Sequence, residues 1–153
     1  MNDTEARFIA SQRVAHLASA NASGVPHVVP ICFVLEAGTI YTAIDAKPKR
    51  VEARRLRRVR NLLENPNVAL VFDRYVEDWS QIGYVMVSGQ GELLKDEKQR
   101  SRAEEILREK YPQYQELLPS GCLVIEIKPT RVVSWGNLEP DEFPRSDRAN
   151  LAQ

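Results

Sequence analysis

The stretch Ser23-Gly24-Val25-Pro26-His27-Val28-Val29-Pro30-Ile31-Cys32-Phe33-Val34-Leu35-Glu36-Ala37-Gly38-Thr39-Ile40-Tyr41-Thr42-Ala43-Ile44-Asp45 decides the fold. Residues 25–35 are β-branched and aromatic, which suits a strand, and they are apolar on both faces, which predicts a deep position. Pro26 and Pro30 sit inside that run and cannot donate to a ladder. Glu36 to Thr39 closes a hairpin around Gly38, and residues 40–45 form the next strand. Upstream, residues 13–20 read as a strand with Val14 and His16 on one face, ending in an Asn21-Ala22-Ser23-Gly24 turn. Residues 4–12 read as a short amphipathic helix carrying Phe8 and Ile9.

Downstream, residues 48–64 predict a helix. Pro48 suits its first turn, Asn65-Pro66 ends it, and Leu56, Val59, Leu62 and Leu63 form a narrow apolar stripe. Residues 67–76 and 82–94 read as strands separated by a loop over 77–81, and the glycines of the second favour a bulge. Asp96 and Gln99 suggest a capping box for a helix over 97–111, with Ala103, Ile106, Leu107 and Tyr111 inward. Pro112 and Pro119 bracket a loop, residues 121–127 and 131–136 complete the strands, and 137–153 form a polar tail. That makes seven strand segments and three helices. No strand–helix–strand rhythm recurs, so a mainly β, antiparallel barrel with helices outside is expected rather than a parallel sheet.

The chain has 153 residues, enough for one domain with its own core. Its formal net charge is zero, yet residues 47–60 hold eight Lys or Arg and one acid, so that segment is +7 and the remainder −7. A globally basic nucleic-acid binder is thereby disfavoured, while a local anion site stays open. Three readings fit the basic segment: a solvated helix face, a nucleic-acid surface, and a phosphate pocket where strand 40–45 runs into the helix start. The nucleic-acid reading lacks the interleaved aromatics it needs, because none occurs from 42 to 71.

Cys32 and Cys122 are the two cysteines and His16 and His27 the two histidines, with no metal-ligand spacing among them. No metal site is expected. The charged N-terminal segment lacks a long apolar run, which argues against a signal peptide or a membrane span and for a cytoplasmic protein with reduced thiols. Gly89-Gln90-Gly91 lacks the third glycine and the following helix of a dinucleotide fingerprint. No GxSxG occurs, and His27 has no sequence-level partner for a hydrolase triad. Trp79, in a charged loop, and Trp135, at the end of the last strand, each call for cover from the protein's own body, a partner subunit or a planar ligand.

Four segments together resemble one family: residues 23–45, then Glu64-Asn65-Pro66-Asn67-Val68-Ala69-Leu70-Val71-Phe72-Asp73, then Tyr84-Val85-Met86-Val87-Ser88-Gly89-Gln90-Gly91-Glu92-Leu93, then Ser134-Trp135-Gly136. Their order and spacing, over roughly residues 8 to 136, are similar to the pyridoxamine 5′-phosphate oxidase-like flavin-binding split barrels. The basic insertion and the Glu77-Asp78-Trp79-Ser80 loop resemble the branch proposed to use the deazaflavin F420. The resemblance implies a six-stranded Greek-key split barrel over residues 1–136, a homodimer, and two cofactor sites, for FMN or F420, between the subunits. It implies that the flavin ring lies along His27, Val28, Val29, Pro30 and Ile31, with Tyr41 and Thr42 near the ribityl-phosphate.

The same resemblance draws the phosphate-holding residues from Lys47, Lys49, Arg57 and Arg58. The longer basic segment also suits a longer anionic tail such as the F420 polyglutamate. Tyr84 stands where family oxidases carry a cofactor-contacting glutamine, and Trp135 matches a segment that approaches the site from the partner subunit, with Trp79 as a further wall. The expected function is hydride transfer between cofactor and a small organic substrate, with no side chain assigned as catalytic. The alternatives are a non-catalytic cofactor- or haem-binding relative and a nucleic-acid-binding barrel. The arginine- and histidine-containing terminus of the oxidases is missing after Trp135, which argues against true pyridoxamine phosphate oxidase activity.

Overall fold

A computed structural model describes residues 1–45 and 53–139. The elements are α1 (Asp3–Ser11), β1 (Ala15–Ala20), β2 (Pro26–Ile31), β3 (Val34–Glu36), β4 (Thr39–Ala43), α2 (Arg57–Glu64), β5 (Asn67–Arg74), β6 (Gly83–Leu93), α3 (Glu97–Lys110), α4 (Tyr114–Leu117) and β7 (Val124–Gly136). All seven strands form one antiparallel sheet in the order β2-β1-β5-β6-β7-β4-β3.

The topology itself requires the sheet to curl. Its two edge strands, β2 and β3, are consecutive in the chain and joined only by Cys32 and Phe33. Laid flat, seven strands at a spacing of about 4.8 Å would put those edges about 29 Å apart. Three Cα–Cα steps span at most about 11 Å. The sheet therefore wraps into an incomplete barrel whose open seam runs between β2 and β3. Side chains pin the link across that seam. The Thr42 hydroxyl donates to the Cys32 carbonyl at 2.7 Å. The Tyr111 hydroxyl accepts from the Phe33 N–H at 3.1 Å and meets the Phe33 and Arg13 carbonyls at 2.9 Å. Burial pushes the Tyr111 phenol up to about 12, so it stays a donor.

Three differences from the sequence reading follow. The sheet has seven strands, not the six that the resemblance implies, because residues 25–35 split at the Cys32–Phe33 link into β2 and β3. The segments 121–127 and 131–136 are one bent strand, β7. It shifts register between Ser88 and Gly89 of β6, where Ser88 faces Arg131 and Gly89 faces Pro129, leaving Thr130 as the extra residue of a bulge. A Cβ on Gly89 would lie 2.6 Å from the Lys128 carbonyl oxygen, so glycine alone allows that close approach. Nor does β2 lie deep. It is an edge strand with Val28 60% exposed, and its prolines suit an edge because they present no N–H to pair.

The barrel interior is filled. Leu17, Phe33, Ile40, Leu70, Phe72, Val85, Val87, Ile125 and Ile127 are fully buried in one cluster. Phe8 and Ile9 of α1 join it, and α1 is held by a reciprocal Asn2–Glu5 capping box. From α2, Val59 and Leu62 enter the same core, whereas Leu63, expected in the apolar stripe, is exposed. Asn61, on the other side of Leu62, is buried and donates to the Ser19 hydroxyl at 3.0 Å. A second cluster lies outside β3 and β4, where Leu107, Tyr111, Tyr114 and Leu118 cover Val34, Ala43 and Val124. Asp96 caps α3 by accepting from the Gln99 N–H. Buried Glu104 accepts from the Gly121 N–H at 2.9 Å and faces Arg108 at 3.4 Å.

Lys110 is the costly residue of this second layer. Its Nζ is buried, has no hydrogen-bond partner, and sits 3.9 Å from the Phe33 ring centroid. Burial, reinforced by the Arg13 charge, lowers its pKa from 10.5 to about 8. A lysine depressed on folding binds fewer protons in the native state than in the unfolded state between those two values. It therefore destabilises the fold fully below about pH 8, and the deficit vanishes as pH rises to 10.5. Lys110→Met keeps the stem over Phe33 and removes the charge. We expect it to stabilise the protein by about 1–3 kcal/mol at pH 7, after allowance for partial solvent screening. Melting curves at pH 7 and pH 10.5 check this. The gain over wild type should be present at the first and nearly absent at the second.

Candidate functional site

The described site residues fall into two groups. The first gathers at the seam. The β1–β2 turn is fixed by Asn21 Oδ1, which accepts from the N–H groups of Ser23 and Val25. Glu64 of α2 accepts from the Ala22 N–H at 3.1 Å, and Asn61 binds Ser19, so α2 is tied beneath β1 with its first turn beside β2. That placement brings Arg57 and Arg58 into the electrostatic range of His27. The His27 pKa is lowered by partial burial and then by the charges of Arg57 and Arg58. Arg58, half-buried, is itself lowered by burial, while the Asp45 carboxylate acts against that shift. The seam is thus a positive rim along an unpaired strand edge, the donor set that suits a phosphate.

Within the first group, Val28 and Pro30 face outward, paired with Ala18 and His16, and His27, Val29 and Ile31 share the inner face with Ser19, Leu17 and Ala15. Tyr41 is half-buried against the helical layer. Thr42 is buried, and its hydroxyl proton is used on the Cys32 carbonyl. Lys47 and Lys49, and the expected helix start at Pro48, lie outside the described residues.

The second group is aromatic and sits at the far end of the sheet. Tyr84 of β6 and Trp135 of β7 are directly paired, and their rings stack at a centroid distance of 6.1 Å and 26°. Trp135 is 57% exposed and Trp79, in the loop after β5, 70% exposed. Arg74 fixes this end. It is buried, lies over the Phe8 ring, and donates to the carbonyls of Gln81, Asn137 and Glu139 at 3.0, 2.9 and 2.6 Å. Gly136 closes it with φ +83°, in close contact with the Ile82 carbonyl.

One chain does not bring the two groups together. Ser19, paired with His27, faces Val68, which faces Gly89; Tyr84 lies five residues further along β6. That is about 17 Å along the strand and about 14 Å across three strand spacings.

Between the groups lies an uncovered sheet face spanning β2, β1, β5, β6 and the end of β7. Its middle row is Pro30, His16, Val71, Met86 and Val133. The next row is Val28, Ala18, Ala69, Ser88 and Arg131. Met86 and Val28 are exposed although apolar. The sequence reading missed this face as a unit, and it missed the ion pair on it: His16 Nδ1 lies 3.7 Å from Asp73 Oδ1. Alternation alone puts His16 and Val14 outward, but the partner depends on the β1–β5 register, which no local signal reveals. Among the described residues no helix is long and apolar enough to cross a membrane, and no group of three His, Cys, Asp or Glu gathers to hold a metal.

The uncovered face, positive seam and incomplete barrel are the setting in which comparison becomes informative. The pyridoxamine 5′-phosphate oxidase family model matches residues 1–136, and the chain belongs to that family. No curated protein matches it. A conserved hypothetical protein from Mycobacterium tuberculosis has a similar structure, with a TM-score of 0.71 and 20% identity over 94% of this chain and 89% of that one. A FAD-binding protein from Mesorhizobium loti gives 0.61 and 22% over 84% and 87%. A haem storage protein from Vibrio cholerae gives 0.64 and 14% over 85% and 89%. At these identities the likeness is one of fold.

Proposed function

We propose that the protein is a homodimeric flavin- or deazaflavin-dependent oxidoreductase that binds FMN or F420 along β2 and acts on a small organic substrate. The observation that carries this reading is the positive rim at the seam, where α2 sets Arg57 and Arg58 within electrostatic range of His27 on the edge strand β2. Family membership supports it. Arg57 and Arg58 would hold the phosphate. Val28 and Pro30 would face the ring, because the filled interior leaves only the outer side of β2 for a planar group. When bound, the cofactor supplies hydride transfer; the chain supplies binding, orientation and exclusion of water. A positive segment longer than one phosphate needs is suited to the polyglutamate tail of F420, and equal affinity for a tailless deazaflavin would sink that part. The same reading puts the protein in the cytoplasm.

A second copy would join the two groups. Monomers rarely leave a contiguous apolar face of this kind bare. Covering it with the same face of another chain would bring one chain's Trp135, Tyr84 and Trp79 toward the other's seam. Met86→Glu puts a charge at the centre of the face, on a side chain already exposed, so the fold should survive. We expect wild type to sediment as a dimer at micromolar concentration and Met86→Glu as a monomer with weakened cofactor binding. A monomeric wild type would refute the dimer.

The deciding experiment for the cofactor is a pair of fluorescence titrations of cofactor-free protein with FMN and with F420. Tight binding of either supports the reading and selects the cofactor; binding of neither overturns it. The fold likeness to a haem storage protein favours one rival, a haem-binding module. A Soret shift on titration with hemin, alongside failure of both flavins, would establish it.

A further inference from the structure

The uncovered face is apolar at Val28, Val71, Met86, Val133 and Trp135, yet besides Arg131 it carries the His16–Asp73 pair. His16 and Asp73 are each about half exposed, 50% and 48%, and meet at 3.7 Å. An exposed ion pair of this kind contributes little to stability. Covering it with a ligand or a second chain costs desolvation that the pair alone does not repay. An imidazole–carboxylate pair in such a place is explained by chemistry better than by packing.

Its position is specific. His16 pairs directly with Pro30 on the outer face. Side chains so paired have Cβ atoms about 5 Å apart. Asp73 pairs with Tyr84, which stacks on Trp135. The imidazole therefore lies between the strand that would face the cofactor ring and the aromatic group at the other end of the face. Asp73 stands on the Nδ1 side of the ring, and Nε2 lies on the opposite side.

We infer that His16 is the proton-exchanging residue of this site and that Asp73 is its positioning residue. The inference rests on the cofactor reading above. The substrate it serves is an acceptor that takes up a proton together with a hydride. In the balanced step the acceptor gains a hydride, which is two electrons and a proton, from the reduced cofactor, and a second proton from the His16 imidazolium. The cofactor is oxidised by two electrons, which an external two-electron donor restores, and the neutral imidazole regains its proton from solvent as product leaves.

The test has one readout on the resting protein and one on turnover. The full chain is treated with diethyl pyrocarbonate, with and without saturating FMN or F420, and modified histidines are located by mass spectrometry. His16 should be modified in the free protein and protected at least several-fold by cofactor. With the bound cofactor reduced beforehand and menadione added as acceptor, His16→Asn should slow single-turnover reoxidation by about a hundredfold, in the range of lost general acid–base catalysis, while cofactor affinity stays near wild type. Added imidazole should restore part of the rate of His16→Ala, which a merely structural role would not allow. Unprotected or unreactive His16, or wild-type turnover in His16→Asn, overturns the inference and leaves the cofactor reading standing. Failure of both cofactors to bind overturns that reading and this inference with it.

Discussion

Arg58→Ala is expected to weaken binding of FMN or F420 by about ten- to a hundredfold, the effect of removing one charged hydrogen bond to a phosphate. Arg58 is singled out over its neighbours by its surroundings. It is half-buried, within the electrostatic range of His27, Asp45 and Tyr114, whereas Arg57 and Arg60 on the same helix are exposed. Partial burial leaves its charge less screened by salt than that of an exposed arginine. Arg58→Lys keeps the charge and loses the planar fork, and should fall between wild type and alanine. Arg60→Ala should change little. Titrations at two salt concentrations check the origin of the loss, since an exposed contribution fades with salt and the Arg58 contribution should persist. Equal behaviour of the Arg58 and Arg60 variants would move the phosphate elsewhere, toward Lys47 and Lys49.

The parts of the fold legible in the sequence were those with a local signal. The alternation in residues 67–76 and 82–94 gave strands over nearly those bounds, and Asp96 with Gln99 marked the start of α3. The split of residues 25–35 was not legible. Cys32 and Phe33 are ordinary strand residues, and what breaks the strand is a non-local event, the jump from one sheet edge to the other. The bulge in β7 was announced by glycines on β6, but its extra residue, Thr130, lies on the partner strand, where nothing in the sequence marks it.

The candidate site divides in the same way. Arg57 and Arg58 were visible as charge, and Tyr84 and Trp135 as a resemblance. That His27 shares the field of Arg57 and Arg58 follows from α2 being tied beneath β1 by Asn61 and Glu64, two polar residues that a helix pattern would leave to solvent. The His16–Asp73 pair joins residues 57 positions apart and depends wholly on strand register.

Phe72→Ala is expected to cost about 3–5 kcal/mol, the usual range for deleting a fully buried phenyl group. Phe72 is completely buried on β5 and meets Phe33 edge-on at 4.8 Å and 67°, and Phe33 lies on the two-residue link that carries the chain across the seam. The phenyl therefore supports the barrel interior and the turn that lets the sheet curl. Its loss should lower the melting temperature by about 10 °C or more. The variant also separates packing from binding. If the cofactor lies on the outer face of β2, the fraction of Phe72→Ala that remains folded at low temperature should bind it with nearly wild-type affinity. Arg58→Ala should do the converse, melting near wild type while binding poorly. A Phe72→Ala protein that is stable but loses cofactor would put the ring inside the barrel and would overturn the placement on the outer face, and with it the assignment of His16. The close packing of Leu17, Phe33, Leu70, Phe72 and Val85 argues for the first result, because an interior at that density has no room for a planar tricyclic group.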